Sequence, residues 1–302
     1  MTRWGARAPP DRVVVGLVAG ALGLLFLAFQ SAMRPADSVA GSDVTVYESY
    51  GTRMLDGAMP YRDFRLEYPP GAALMFVLPA TRLIAGGSTE GASWVPVNAA
   101  GRRYYDGFEL LVLLLVAAVV VLTALTLKAM GRSTWMMLLA LAVVASSPLL
   151  IGQVLTERFD VWPAALTAAA IAAAARGRHR LGGAMLGLGA ATKIYPALLL
   201  PVLVIVAVRQ RGVREAIYVA GAAVCAAAAV FLPFAIASFS GTWASCCFFP
   251  PAVRASRASL TYTSLTPRSP TDSGSQVESC GATCTRRSAP RSRPLAAIAS
   301  RE

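Results

Sequence analysis

The chain has 302 residues, of which 56% are hydrophobic and 15% charged, with a mean hydropathy of +0.55; a water-soluble core cannot bury that much apolar side chain. The net charge of +12 sits in short clusters between apolar runs, not along one face, which argues against a nucleic-acid partner and for cations that orient a protein in a bilayer. A hydrocarbon core about 30 Å thick takes roughly 20 apolar residues per helix, so the composition predicts an all-α, polytopic transmembrane bundle with little chain left for a soluble domain.

In chain order, the apolar runs fall at 13–33, 106–127, 134–151, 161–175, 181–208 and 216–237. The first follows Arg3, Arg7 and Arg12, as a signal peptide would, but it is longer than a signal core and an uncleaved anchor is expected. A further apolar stretch, Gly71 to Ala85, is short for a span and carries Pro69, Pro70, Pro79 and Arg82 at or near it, which favours an interfacial or broken helix. With that stretch kept from crossing, four basic clusters share the cytoplasmic side: Arg3, Arg7 and Arg12; Lys128 and Arg132; Arg176, Arg178 and Arg180; and Arg209, Arg211 and Arg214. The stretch 181–208 must then leave and return as two short helices that turn near Lys193 to Pro196. Three segments meet on the outer face under this topology: the loop 34–105, the loop Gln153 to Asp160, and the Lys193 turn.

The first outer loop carries Asp43, Tyr47, Glu48 and Tyr50, then Pro60-Tyr61-Arg62-Asp63-Phe64 and Glu67-Tyr68-Pro69-Pro70-Gly71. Carboxylates can take a proton from a sugar hydroxyl, arginines can hold a phosphate, and tyrosines can stack on a pyranose ring. This inventory suits glycosyl transfer from a phosphorylated lipid, and by chemistry alone it suits other tasks nearly as well. Asp63 and Glu67 would share a face if their segment were helical, although Arg62 and Arg65 beside them can form local ion pairs. Arg158 and Asp160 stand at the outer start of a span, where charges are costly unless paired or useful; a local pair of Arg158 with Asp160 or Glu157 is the structural alternative. Lys193 interrupts an apolar stretch and should reach the headgroup layer, by snorkelling or toward a lipid phosphate. Arg102 and Arg103 break the charge rule on the outer side, which a lipid-phosphate contact would explain.

The succession of Asp43, Tyr47, Tyr50, Gly57, Pro60 to Phe64 and Glu67 to Gly71 resembles the first loop of membrane glycosyltransferases of the GT-C fold, most closely glycosyltransferase family 87. Gly189-Ala190-Ala191-Thr192-Lys193-Ile194-Tyr195-Pro196, then Leu198 to Pro201, is similar to a later pattern of that family, and the likeness covers roughly residues 13–243. The resemblance implies an inverting hexosyl transfer, with mannose the expected sugar, from a polyprenyl-phosphate donor to a glycan or glycolipid acceptor at the extracytoplasmic face of the cell membrane. It implies that Asp43 is the general base, with helix capping as its structural alternative. Tyr47, Arg62, Asp63, Glu67, Arg102, Arg103, Arg158, Asp160, Lys193 and Tyr195 are the expected substrate contacts. No cofactor is implied. His179, the single histidine, lies among arginines, and the cysteines lack metal-ligand spacing, so no metal site is expected.

From Ala244 the composition turns to Ser, Arg, Pro, Thr and Ala without apolar periodicity. Residues 1–243 are therefore expected to form the transmembrane glycosyltransferase-like domain, incomplete for a GT-C enzyme, and 244–302 a disordered tail. A frameshift or truncated gene would explain that break, while Gln276-Val277-Glu278-Ser279, similar to a segment of the family, resists a simple version of it. Two other functions stay open at this point. A transporter or flippase for a lipid-linked sugar would want polar residues near mid-bilayer and an internal repeat, and an inactive fragment would retain the first loop without transfer.

Overall fold

The computed structural model describes residues 9–32, 42–84 and 99–246. The basic residues Arg3 and Arg7, the segments 33–41 and 85–98 and the expected tail beyond Cys246 lie outside the described residues. Those described form an all-α membrane bundle with no strand among them: α1 (Asp11–Ala32), α2 (Asp43–Leu55), α3 (Ala73–Ile84), α4 (Ala99–Ala129), α5 (Thr134–Ala145), α6 (Ser147–Ile151), α7 (Gln153–Glu157), α8 (Val161–Ala175), α9 (His179–Ala190), α10 (Leu200–Arg211), α11 (Val213–Ala237) and α12 (Phe239–Cys246).

Among the described residues three helices, α1, α4 and α11, are long and apolar enough to cross a membrane. Their apolar residues do not stop at the packed face. Val14, Ala21, Leu25, Ala28 and Phe29 of α1 are buried, yet Val15, Phe26 and Leu27 on its other side are exposed, as a helix solvated by lipid requires. On α4, Phe108, Val112, Val116, Val120 and Ala124 recur every four residues as one buried ridge. Lys128 near the end of α4 pairs with Asp11 at the start of α1, so the two helices run antiparallel and Arg12 lies at the same end of the bundle as Lys128 and Arg132.

The expected excursion of 181–208 is present: α9 rises to a turn at Lys193, a 3-10 segment follows at Tyr195–Leu199, and α10 returns. With α8 this makes a hairpin whose closed end holds Arg176, Arg178 and Arg180 and whose open end holds Asp160 and Lys193. α9 and α11 pack through small residues. A Cβ on Gly183 would lie 2.4 Å from the Val219 carbonyl oxygen, and one on Gly187 would lie 2.1 Å from that of Ala223. Two glycines four apart thus let the backbones touch, which supplies packing where lipid gives no hydrophobic drive.

Three sequence expectations are corrected. The run 134–151 is not one helix, because Ser146-Ser147-Pro148 breaks it into α5 and α6; Pro148 has no N–H to continue the ladder. The first loop contains a full helix, α2, whose charged and polar residues leave no apolar run to mark it. The charged start of the fourth helix, including Arg102 and Arg103, is helical and not loop. The 12-residue α3, with Pro79 inside it, is too short to span, in line with the stretch 71–85 as read from sequence.

Candidate active site at the open end of the helical hairpin

Phe159 organises the site. Its ring is 2% exposed and meets Tyr68 at 5.0 Å, Phe76 at 5.6 Å and Tyr47 at 5.7 Å between centroids, all edge-on. Phe159 sits in the short link between α7 and α8, where Arg158 is extended (φ −119°, ψ 139°). Burying the ring between them leaves Arg158 and Asp160 on the surface to either side. Each finds a partner from a distant segment. Arg158 Nε lies 3.0 Å from Asp43 Oδ2, and Lys193 Nζ pairs with Asp160 Oδ1 while standing 5.1 Å from the Phe159 ring centroid.

The four charged groups are half-exposed and lie beside apolar surface. Leu150, Ile151 and Val154 just before Arg158, and Ile194 and Leu198 just after Lys193, are at least half exposed. Cations and carboxylates bordered by exposed Ile and Leu belong where hydrocarbon meets headgroups.

Asp43 is the first residue of α2 and does not cap it: the capping position is Ser42, which makes no side-chain cap bond. The local pair of Arg158 with Asp160 or Glu157 is replaced by the long-range pairs above. Tyr47 is fully buried, stacked on Phe76 at 4.7 Å, so it offers no ring face to a sugar. Burial, with Tyr68 beside it, pushes its hydroxyl well above the ordinary tyrosine value. It stays neutral and supports Phe159 from below.

Gly71 joins the two motifs. Its N–H donates to the Ala191 carbonyl at 2.9 Å, and a Cβ there would lie 2.6 Å from Thr192 Oγ1. The Tyr-Pro-Pro-Gly segment therefore rests on the Lys193 turn through a contact that only glycine allows. Tyr195, partly exposed, lies near Asp160 and Thr167.

Arg62 and Asp63 pair with each other through two hydrogen bonds of 2.8 and 2.9 Å, and Asp63 also accepts from the Met59 N–H at 2.8 Å. The Arg62 guanidinium, then the Met59 amide, lower the Asp63 carboxyl to about 2. The turn is held further by Tyr61, at φ 68°, whose hydroxyl donates to the Tyr68 carbonyl and whose ring meets Phe234 edge-on at 5.7 Å. Asp63 and Glu67 do not share a helical face, since residues 61–69 form turns and extended chain; Glu67 is exposed. Arg102 pairs with Asp106 one turn on at 3.0 Å, and Arg103 is half-buried on the same helix.

Glu109 was missed. It is 3% exposed on α4, close to Tyr105, and its Oε1 has no hydrogen-bond partner among the described residues. The signal was available, since a carboxylate inside an apolar run is costly and needs a reason.

A sequence model of glycosyltransferase family 87 matches residues 66–272, more than half of the chain. The match takes in Glu67, Arg102, Arg103, Arg158, Asp160, Lys193 and Tyr195, whereas Asp43, Tyr47, Arg62 and Asp63 precede it. No curated protein and no solved structure matches the chain.

Proposed function

Because the chain belongs to glycosyltransferase family 87, and is thus a membrane glycosyltransferase, we propose that it moves a hexose, mannose first, from a polyprenyl-phosphate carrier to a glycan or glycolipid hydroxyl, with inversion. The observation that carries this reading is the pair of crossed ion pairs, Asp43 with Arg158 and Asp160 with Lys193, set around buried Phe159 at an apolar rim. Such a rim suits a donor whose sugar is water-soluble and whose tail is not.

The donor phosphate is a diester with one negative charge. Arg158 and Lys193 are the cations placed to receive it, and each must exchange its carboxylate partner for phosphate oxygens. That exchange frees Asp43. Its carboxylate then takes the proton of the acceptor hydroxyl as the hydroxyl oxygen bonds to the anomeric carbon. The bond from that carbon to the phosphate oxygen breaks, and the electron pair leaves with polyprenyl phosphate, now a monoester with a second charge. Because charge grows on the phosphate during the reaction, Arg158 and Lys193 hold the transition state more tightly than the bound donor. Asp160 and Tyr195 orient Lys193, and Tyr47 fixes Phe159.

Arg12, Lys128 and the arginines at the α8–α9 and α10–α11 links lie at the far end of the helices from this site, so the positive-inside tendency favours the cytoplasm for them and the extracytoplasmic face of the cell membrane for the site. Glu67, Arg62 and Asp63 of the first loop, with Arg102 and Arg103 in the first turns of α4, are the groups offered to the acceptor or to neighbouring headgroups. Residues 1–243 form the catalytic domain in this reading and 244–302 an appended tail.

The test is transfer by membranes that express the chain, given labelled polyprenyl-phosphate-mannose, polyprenyl-phosphate-glucose or a nucleotide sugar with endogenous carrier lipid extracted. Transfer from a lipid-linked hexose and none from the nucleotide sugar is expected. Transfer from the nucleotide sugar alone overturns the proposal.

A further inference from the structure

The opposite end of the bundle carries a second, differently built charge cluster. Arg180 at the start of α9, Arg211 at the end of α10, and Arg214, Glu215 and Tyr218 in the first turns of α11 line one cavity of about 290 Å³. Four of the five, Arg180, Arg214, Glu215 and Tyr218, hold one another in place. Arg180 donates from Nε and Nη2 to the Glu215 carboxylate at 3.0 and 2.7 Å, and its guanidinium lies 4.3 Å above the Tyr218 ring centroid. Arg214 Nε donates to the Tyr218 hydroxyl at 3.3 Å. Three guanidiniums face one carboxylate, so the cavity keeps two positive charges in excess.

The surface next to it is apolar. Val213 and Ile217 are each 65% exposed, and Leu181 is 45% exposed, on the same helices and within a few residues of the arginines. An anion bound here would have its charge among the guanidiniums and hydrocarbon immediately alongside.

We propose that this cavity binds the phosphate of an anionic phospholipid from the leaflet at that end of the bundle, with acyl chains lying on Val213, Ile217 and Leu181. Planar guanidiniums match phosphate oxygens through paired N–H donors, which lysine cannot reproduce. Basic pockets between membrane helices take such headgroups. The lipid ties α9, α10 and α11 together at their charged end. General orientation by positive charge requires only that the residues be cationic, and does not require Tyr218 or Glu215 to hold the guanidiniums in fixed places.

The experiment uses the purified full chain in zwitterionic phosphatidylcholine nanodiscs, with phosphatidylglycerol added in steps, and reads the thermal unfolding midpoint and, in parallel, the lipids retained in native mass spectrometry. Wild-type protein gains several degrees with phosphatidylglycerol and keeps one such lipid. Arg211→Lys with Arg214→Lys, which preserves the charge, loses at least half of that gain and the retained lipid. Tyr218→Phe, which removes only the Arg214 contact, shows a smaller loss and covers the case in which the double variant does not fold. An undiminished gain in both variants, or the same gain from inorganic phosphate without phosphatidylglycerol, overturns the proposal.

Discussion

Replacing Lys193 by Gln separates a catalytic role from a structural one. The Lys193 and Asp160 side chains are 40% and 47% exposed, and ion pairs so exposed contribute about 0–1 kcal/mol to stability. Loss of the pair should therefore shift unfolding by no more than a few degrees. A contact between an ammonium and a phosphate that is gaining charge is worth about 1.5–3 kcal/mol, and at 1.36 kcal/mol per decade that is about a 10- to 150-fold fall in kcat/KM for the lipid-linked donor. Asp160→Asn should act in the other direction on donor binding, because it frees Lys193 from its resting partner, and should lower the donor KM. The assay is initial-rate transfer at several donor concentrations in membranes of matched protein content, with unfolding followed on the same samples. Transfer by Lys193→Gln within threefold of wild type would refute the phosphate role. An equal loss of stability and activity would reduce Lys193 to a structural brace.

Phe159→Ala should destabilise the chain by about 3–5 kcal/mol, since its ring is buried against three others, and should lower transfer more than it lowers folded protein; Phe159→Leu should recover most of both, as read by unfolding and by rate per folded molecule. Gly187→Ala places a Cβ 2.1 Å from a backbone oxygen and should cost about 1–3 kcal/mol or more through separation of α9 and α11, whereas Gly221→Ala, with nothing within 4 Å of its added Cβ, should be neutral or stabilising in the same measurement. Asp63 has its carboxyl lowered to about 2 by Arg62 and the Met59 amide, so its hold on the turn is present above about pH 4 and is lost as pH falls toward 2; exchange at the Met59 amide, corrected for the intrinsic rate, should speed up over that interval in wild type and show no such step in Asp63→Asn.

The helices were legible where hydropathy and length agree. α1, α4 and α11 follow from apolar runs of spanning length, and the turn at Lys193 follows from a charge and Pro196 inside a run too long for one span. α2 was hidden because its packed residues, Val44, Tyr47 and Gly51, are separated by polar ones and its stabilisation comes from α3. The ion pairs could not be foreseen in detail. Glu157 and Asp160 are the neighbours of Arg158 in sequence, yet burial of Phe159 turns Arg158 toward Asp43, 115 positions away. The same burial explains Tyr47, whose place in a loop motif says nothing about which side of the aromatic cluster its ring occupies. Asp63 was legible as charged and local, but its tie to Met59 depends on a turn that residue spacing alone does not specify.

The central claim is that Asp43, waiting on Arg158, is the base that deprotonates the acceptor. The direct measurement is single-turnover transfer from labelled polyprenyl-phosphate-mannose by wild type and by Asp43→Asn, with donor binding measured on both. General-base removal should slow transfer by about 10²–10⁴-fold while donor binding stays equal or tightens, because Arg158 is no longer held by a carboxylate. Undiminished transfer by Asp43→Asn would contradict the assignment and return Asp43 to the role of a salt-bridge partner.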